Sequence, residues 1–236
     1  MGKETKPALP RKETVLCISD THFPVHHADT FDFLSDLKKE FKPTKIIHIG
    51  DEVEFAGMSF HDHDPDARSP GDEYREAHKC MQTLFKLFPK IDFCSSNHGA
   101  RLYRRAYSAG IPKAMVKDYQ QLWDAPSTAI WHRRIVVDDV MYFHGDPYSG
   151  RNAAFNAMKE CHRSIVQGHT HSFGGIQYSA FQDKEDYTTL FALNVGCLID
   201  TKSAAFDYGW KYRNKPTIGC GVVVRGQHGH FVKLPT

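Results

Sequence analysis

The sequence predicts a single α/β domain, a sandwich with mixed sheets, and two observations carry that prediction. From Val15 to Gln167, short apolar runs of strand length alternate with stretches whose apolar residues recur at helical spacing. From Thr188 on, apolar runs broken by Gly and Asn follow one another (LFALNVG, IGCGVVVRG, HFVKL), as strands do. Alternation followed by a strand-rich tail argues against a purely parallel fold. With 236 residues, no internal repeat and no dividing linker, one domain is expected over 14–236. The lead-in 1–13, rich in Pro, Lys and Glu, is expected to be flexible.

Taken in order, Val15 to Ser19 is the first strand and ends directly in Asp20. Apolar residues at 31, 33, 34, 37 and 41 make a helix of Phe31 to Phe41, stopped by Pro43. Lys45 to Ile49 is the second strand, ending in Gly50-Asp51. Met58 to Gly71, with Pro65, Pro70 and many Asp and His, reads as loop, and Asp72 to Phe88 as helix before Pro89. Ile91 to Ser95 is a third strand ending at Asn97-His98. Ile111 to Leu122 is expected to be helical, with Pro112 in its first turn. Ile135 to His144 reads as a hairpin turning at Asp138-Asp139, Asn152 to Cys161 as helix, and Ser164 to Gln167 as a strand ending in Gly168-His169.

Composition bounds the function. At 41% hydrophobic and 25% charged the chain is an ordinary folding sequence, and its net charge of +2 gives no argument for nucleic acid. Only a local basic patch could supply one. The six cysteines form no C-x-x-C pair, and Cys17 and Cys94, inside apolar runs, read as buried free thiols. No apolar run approaches a membrane span and the opening residues have no apolar stretch, so a cytoplasmic protein without a membrane partner is the expectation. Fifteen histidines are a surplus, and imidazole is the commonest metal ligand.

Metal-ligand residues sit where the predicted strands stop. Asp20 and His22 follow the first strand, Asp51 the second, Asn97-His98 the third, His144 the next, and His169 and His171 the last. Sites in open α/β sheets form beyond the carboxyl ends of strands, so these groups are expected to converge. A mixed oxygen and nitrogen set suits Mn, Fe(II) or Zn more than Ca or Mg, and the lack of cysteine argues against a structural zinc site. Seven ligands over-supply one metal; two metals sharing a carboxylate would use them well.

D-x-H at Asp20–His22, G-D-x-x-E at Gly50–Glu54, N-H at Asn97–His98, His144 before Gly145 and G-H-T-H at Gly168–His171 occur in this order. Together they resemble the calcineurin-like metallophosphoesterase superfamily. The resemblance implies a four-layer α/β/β/α sandwich with two mixed sheets. It implies a phosphoester hydrolase, a phosphatase or phosphodiesterase, in which hydroxide bridging two metals attacks phosphorus. Asp20, His22 and His171 would bind one metal, Asn97, His144 and His169 the other, and Asp51 both. His98 would bind phosphate and protonate the leaving group, with Asn97 also on the substrate. Apart from the resemblance, Arg101, three residues past His98, reads either as a phosphate-binding residue or as a surface one. The metals implied are two divalent ions, manganese first, with iron, zinc and nickel as alternatives. The partner implied is a phosphoester substrate, small molecule or nucleic acid. A small nuclease is the alternative activity, and a metal-binding scaffold without turnover the alternative class.

Two departures from the family pattern stand at Ser96-Asn97-His98-Gly99, where the family has glycine before the asparagine and an acidic residue after the histidine. It is the second that leaves His98 without its usual partner. Asp124, Asp146 and Glu54 are the candidates to replace it. His48, inside an apolar strand, reads as a satisfied core histidine. His61, Asp62, His63, Asp64 and Asp66 read as a solvated acidic loop, with a gate beside the site as the alternative. Gly209 to Pro216 interleaves Trp210 and Tyr212 with Lys211, Arg213 and Lys215; it reads as a surface loop, or else a strip for a nucleic-acid strand.

Overall fold

Side chains alternate between faces along a strand, and the first strand, β1 (Thr14–Ile18), shows what that alternation builds. Leu16 and Ile18 point to one side and join Leu34, Leu37, Met81 and Leu84 from two helices, α1 (Thr30–Phe41) and α2 (Pro70–Leu87). Val15 and Cys17 point to the other side, into a core shared with Tyr142, Val166, Leu193 and Val195 of a second sheet. The computed structural model describes residues 12–60, 68–183, 186–203 and 215–235.

The first sheet has six strands. β1 is flanked in parallel by β2 (Lys45–His48), followed by β3 (Asp92–Cys94) and β4 (Ile130–His132). On its other side run, antiparallel, β10 (Gly219–Val224) and β11 (His228–Lys233). The second sheet orders β5 (Ile135–Val137), β6 (Val140–Phe143), β7 (Ile165–Gln167), β9 (Asp186–Val195) and β8 (Gly174–Asp183). Its outer face carries α5 (Ala153–Cys161), whose Ala154, Ala157 and Met158 pack on Met141, Ile165 and Ala192. Helices, sheet, sheet and helix make four layers, with mixed strand directions in both sheets, as the resemblance implied. Each fully buried Leu, Ile or Phe in these cores contributes about 1.5–3 kcal/mol relative to exposure.

The structure departs from the sequence reading in several places. Ile111 to Leu122 is not one helix. Pro112 and Val116 are extended, with ψ of 140° and 132°, leaving a 3₁₀ turn at Lys113–Met115. A new four-residue helix, α4 (Tyr119–Leu122), then starts at Asp118, whose capping box with Gln121 opens it. Unforeseen elements are α3 (Arg101–Ser108), whose arginines break the apolar periodicity, and the short β4. The strand-rich tail also begins earlier, with β8 pairing along all ten residues of β9. A 3₁₀ turn at Ala56–Met58 leads into the expected loop Met58 to Gly71. Pro70 already begins α2 there, because Ser69 caps it by accepting from the Asp72 amide. Residues 61–67, 209–214 and 1–11 of the expected acidic loop, basic-aromatic segment and lead-in lie outside the described residues. Cys17 and Cys94 are buried and free as read, and no helix among the described residues is long and apolar enough to cross a membrane.

Candidate metal centre

β1, β2 and β3 run parallel, as do β6 and β7, so each set presents its carboxyl ends at one edge of its sheet. The loops leaving those ends carry all seven residues, and the structure brings them together. Asp20, His22, Asp51 and His171 form one group of donors whose ligand atoms lie within 4.8 Å of one another, and Asp51, His144 and His169 another. Asp51 belongs to both.

The distances are those of ligand atoms facing a common point. His171 Nε2 is 2.9 Å from Asp20 Oδ1 and 3.1 Å from His22 Nε2. His22 Nε2 lies 3.8 Å from both Asp20 Oδ1 and Asp51 Oδ2. In the second group His144 Nε2 is 3.2 Å from Asp51 Oδ2, 2.8 Å from Asn97 Oδ1 and 3.2 Å from His169 Nδ1. Ligand atoms about 2.0–2.2 Å from one cation stand roughly 3–3.5 Å apart, so the donor set fits divalent ions of the Mn, Fe or Zn kind.

The backbone accepts strain to hold this arrangement. Asp20, His22, Asp51 and His169 have φ of 49°, 47°, 50° and 64°, a region that costs an ordinary L-residue about 1–2 kcal/mol. Amides of Asp20 and His22 donate to the carbonyls of Gly50 and Asp51, both at 3.0 Å, and lock the first two loops together. Two glycines make room. A Cβ on Gly50 would stand 2.9 Å from His144 Nδ1, and one on Gly168 would stand 1.9 Å from Ser19 Oγ and 2.3 Å from Asp20 Oδ2. Gly168→Ala is therefore expected to displace the Asp20 carboxylate and cost metal affinity more than fold stability. Metal titration beside a melting curve checks this, and unchanged affinity would refute it.

Burial alone would push the Asp20 and Asp51 carboxyls up. Hydrogen bonds from His171 and His22 at Asp20, and the charges of His144 and His98 at Asp51, outweigh it and hold both below the usual carboxylate range. Ser19 Oγ and the His169 amide both donate to Asp20 Oδ2, which leaves Oδ1 facing His22 and His171.

Glu54 is the hub of the adjoining group. Its Oε2 meets His22 Nδ1 at 2.5 Å, so the ring turns Nε2 toward the other donors; carboxylates orient metal-binding histidines in this way. Of the three candidate partners for His98, only Glu54 is brought to it: Asp124 pairs with His78 at 3.0 Å, and Asp146 is exposed. His98 Nδ1 donates to the Glu54 carbonyl at 2.8 Å and lies 3.5 Å from Glu54 Oε2. Arg101 donates to the same carbonyl at 2.6 Å and to His98 Nε2 at 3.0 Å. His98 is thus neutral, with its Nε2 lone pair under the guanidinium; burial, the largest influence, takes it down to about 4. Glu54→Gln is expected to lower metal affinity by roughly 10–100-fold through loss of orientation at His22. A metal titration with no change would remove Glu54 from that role.

Sequence reasoning missed Glu52. It is buried beside Asp51, accepts from Trp131 Nε1 at 3.2 Å, and burial raises it to about 7. Its Oε1 lies 3.5 Å from where a Gly99 Cβ would be, so the ground beneath the family's acidic position is already taken by a carboxyl. A second acidic residue in this motif was the available signal. His48 is the satisfied core histidine expected: the Gly50 amide donates to Nδ1 at 3.2 Å, and Nε2 meets Thr21 Oγ1 at 3.1 Å.

No family model and no curated protein matches the sequence. Among solved structures the chain is similar to Vacuolar Protein Sorting 29 from Cryptosporidium parvum, at 13% identity and a TM-score of 0.44, covering 91% of this chain and 87% of that one. It is also similar to YfcE, a phosphoesterase from E. coli (16% identity, TM-score 0.42, 89% and 87% covered). Vps29 from Chaetomium thermophilum follows (10% identity, TM-score 0.38, 89% and 82% covered). In the order of its motifs the chain resembles the calcineurin-like metallophosphoesterases. What the site can do follows from its own side chains.

Proposed function

We propose that this chain is a metal-dependent phosphoester hydrolase of the calcineurin-like kind. One observation carries the reading: seven donors from five strand ends form two ligand groups that share Asp51. Asp20, His22 and His171 would hold one divalent ion, Asn97, His144 and His169 the other, with Asp51 between them. Bound there, such ions supply positive charge to phosphoryl oxygens and lower the pKa of water near neutrality. The chain's own groups do the rest. Glu54 and Ser19 hold His22 and Asp20 in their orientations, and Arg101, half in the site, offers planar N–H donors suited to a phosphoryl group. His98 stands beside Arg101 as the group that passes a proton to the departing oxygen. That transfer needs Arg101 to leave Nε2 for the substrate and Nε2 then to take up a proton from water, since here the nitrogen only accepts from Arg101.

The test is to strip the protein with chelator, restore Mn²⁺, and assay p-nitrophenyl phosphate beside bis-p-nitrophenyl phosphate. Turnover is expected only with metal, and the ratio of the two rates separates phosphatase from phosphodiesterase. Two metals bound without turnover of either compound would favour a scaffold, and no metal bound would overturn the reading.

A further inference from the structure

The net charge of +2 conceals a strongly basic surface beside the proposed centre. From Arg101 to Lys117 the chain carries Arg101, Arg104, Arg105, Lys113 and Lys117 and no acidic residue. These residues form one unit. α3 leads away from His98 over about 12 Å, turns at Gly110, and the 3₁₀ turn at Lys113–Met115 folds back beside it. Tyr103 Oη donates to the Lys117 carbonyl at 3.1 Å and the Ile111 amide to the Ala106 carbonyl at 2.9 Å, which fixes the return. Arg101 reaches into the site, and Arg105 donates to the carbonyls of Met58 and Ser59. Arg104, Lys113 and Lys117 are exposed and form no ion pair among the described residues.

Apolar surface is concentrated on the same unit. Of eight exposed large hydrophobic residues among those described, Tyr107, Ile111 and Met115 lie on it. A fourth, Phe60, lies against its arginines, with Arg105 4.0 Å and Arg104 5.3 Å from the ring centroid. Tyr107 is 86% exposed, and no ring or cation stacks on it among the described residues. Exposed cations with an exposed tyrosine ring among them suit a single nucleic-acid strand, whose phosphates take the charges and whose bases stack on the ring. A duplex would leave Tyr107 without a base to stack on.

We infer that the α3 unit is a docking surface for single-stranded nucleic acid that leads the strand's phosphodiesters to the metal centre. This rests on the hydrolase reading for its catalytic meaning but is tested without turnover. The probe is a fluorescein-labelled oligothymidylate, with anisotropy read on the full chain in chelator over a series of salt concentrations. Salt-dependent binding is expected. A triple variant of Arg104→Ala, Lys113→Ala and Lys117→Ala should make the slope of log affinity against log salt shallower by about 2, since each single-strand phosphate contact contributes about 0.7. Tyr107→Ala should weaken binding roughly tenfold with the slope retained. Far-ultraviolet circular dichroism checks that these surface variants remain folded. No binding, or wild-type binding by the triple variant, would overturn the inference. So would capture by phosphatidylserine vesicles in place of the oligonucleotide. Binding without metal-restored turnover of the p-nitrophenyl esters would sink the hydrolase reading alone, and turnover without binding the docking surface alone.

Discussion

An Asp51→Asn variant is expected to fold, to lose metal occupancy, and to lose on the order of 10³-fold or more in turnover. The magnitude follows from the several kcal/mol that a metal centre supplies at phosphorus, at a factor of ten per 1.36 kcal/mol. Geometry explains why the fold should survive. Asp51 Oδ1 accepts from the His98 amide at 3.1 Å, and an asparagine oxygen can keep that bond. Its Oδ2 is the atom at stake, 3.2 Å from His144 Nε2, 3.8 Å from His22 Nε2 and 3.9 Å from His98 Nε2. An amide nitrogen there presents N–H to three imidazoles and carries no charge for either cation. Both ligand groups lose their common member, so occupancy is expected to fall at both positions. Metal analysis after dialysis, alongside a melting curve and bis-p-nitrophenyl phosphate turnover, decides the matter. A variant with two bound metals and full activity would refute the bridging assignment.

The site was legible in the sequence because its signal is local. Each candidate ligand lies within four residues of a strand end, and five apolar runs were enough to locate those ends. Parallel pairing then forces convergence, which no single motif states. What was not legible depends on contacts between distant segments. The Glu54 carboxylate meets His22 across 32 residues and His98 across 44, and sequence offered three equal candidates for the latter. Glu52 beneath Gly99 could be recognised only once the Trp131 indole and the 96–99 loop were placed around it. Helix α3 escaped because Arg101, Arg104 and Arg105 occupy one face at helical spacing, leaving Leu102 and Ala106 as its only inward apolar pair. Those arginines also carry positive charge beside the centre, while most of the basic-aromatic segment Gly209 to Pro216 lies outside the described residues.

A His98→Ala variant is expected to keep its metals and lose roughly 10²–10⁴-fold in rate, the range for a positioned general acid. The loss should depend on the leaving group. A p-nitrophenolate departs readily without a proton, so the variant should hydrolyse p-nitrophenyl esters far better than alkyl esters, relative to the unmodified protein. The geometry supplies the competing outcome. Here His98 Nδ1 donates to a carbonyl and Nε2 accepts from Arg101, so the ring carries no proton on the side that meets the guanidinium. For His98 to act as an acid, Arg101 must move onto the phosphoryl group and Nε2 must take up a proton that the nearby Asp51 charge favours. If His98 instead only props Arg101 in place, both ester classes should slow equally, and Arg101→Ala should reproduce that uniform loss. A loss steep for alkyl esters and shallow for p-nitrophenyl esters, with Arg101→Ala raising KM in both, assigns the proton to His98 and the phosphate to Arg101.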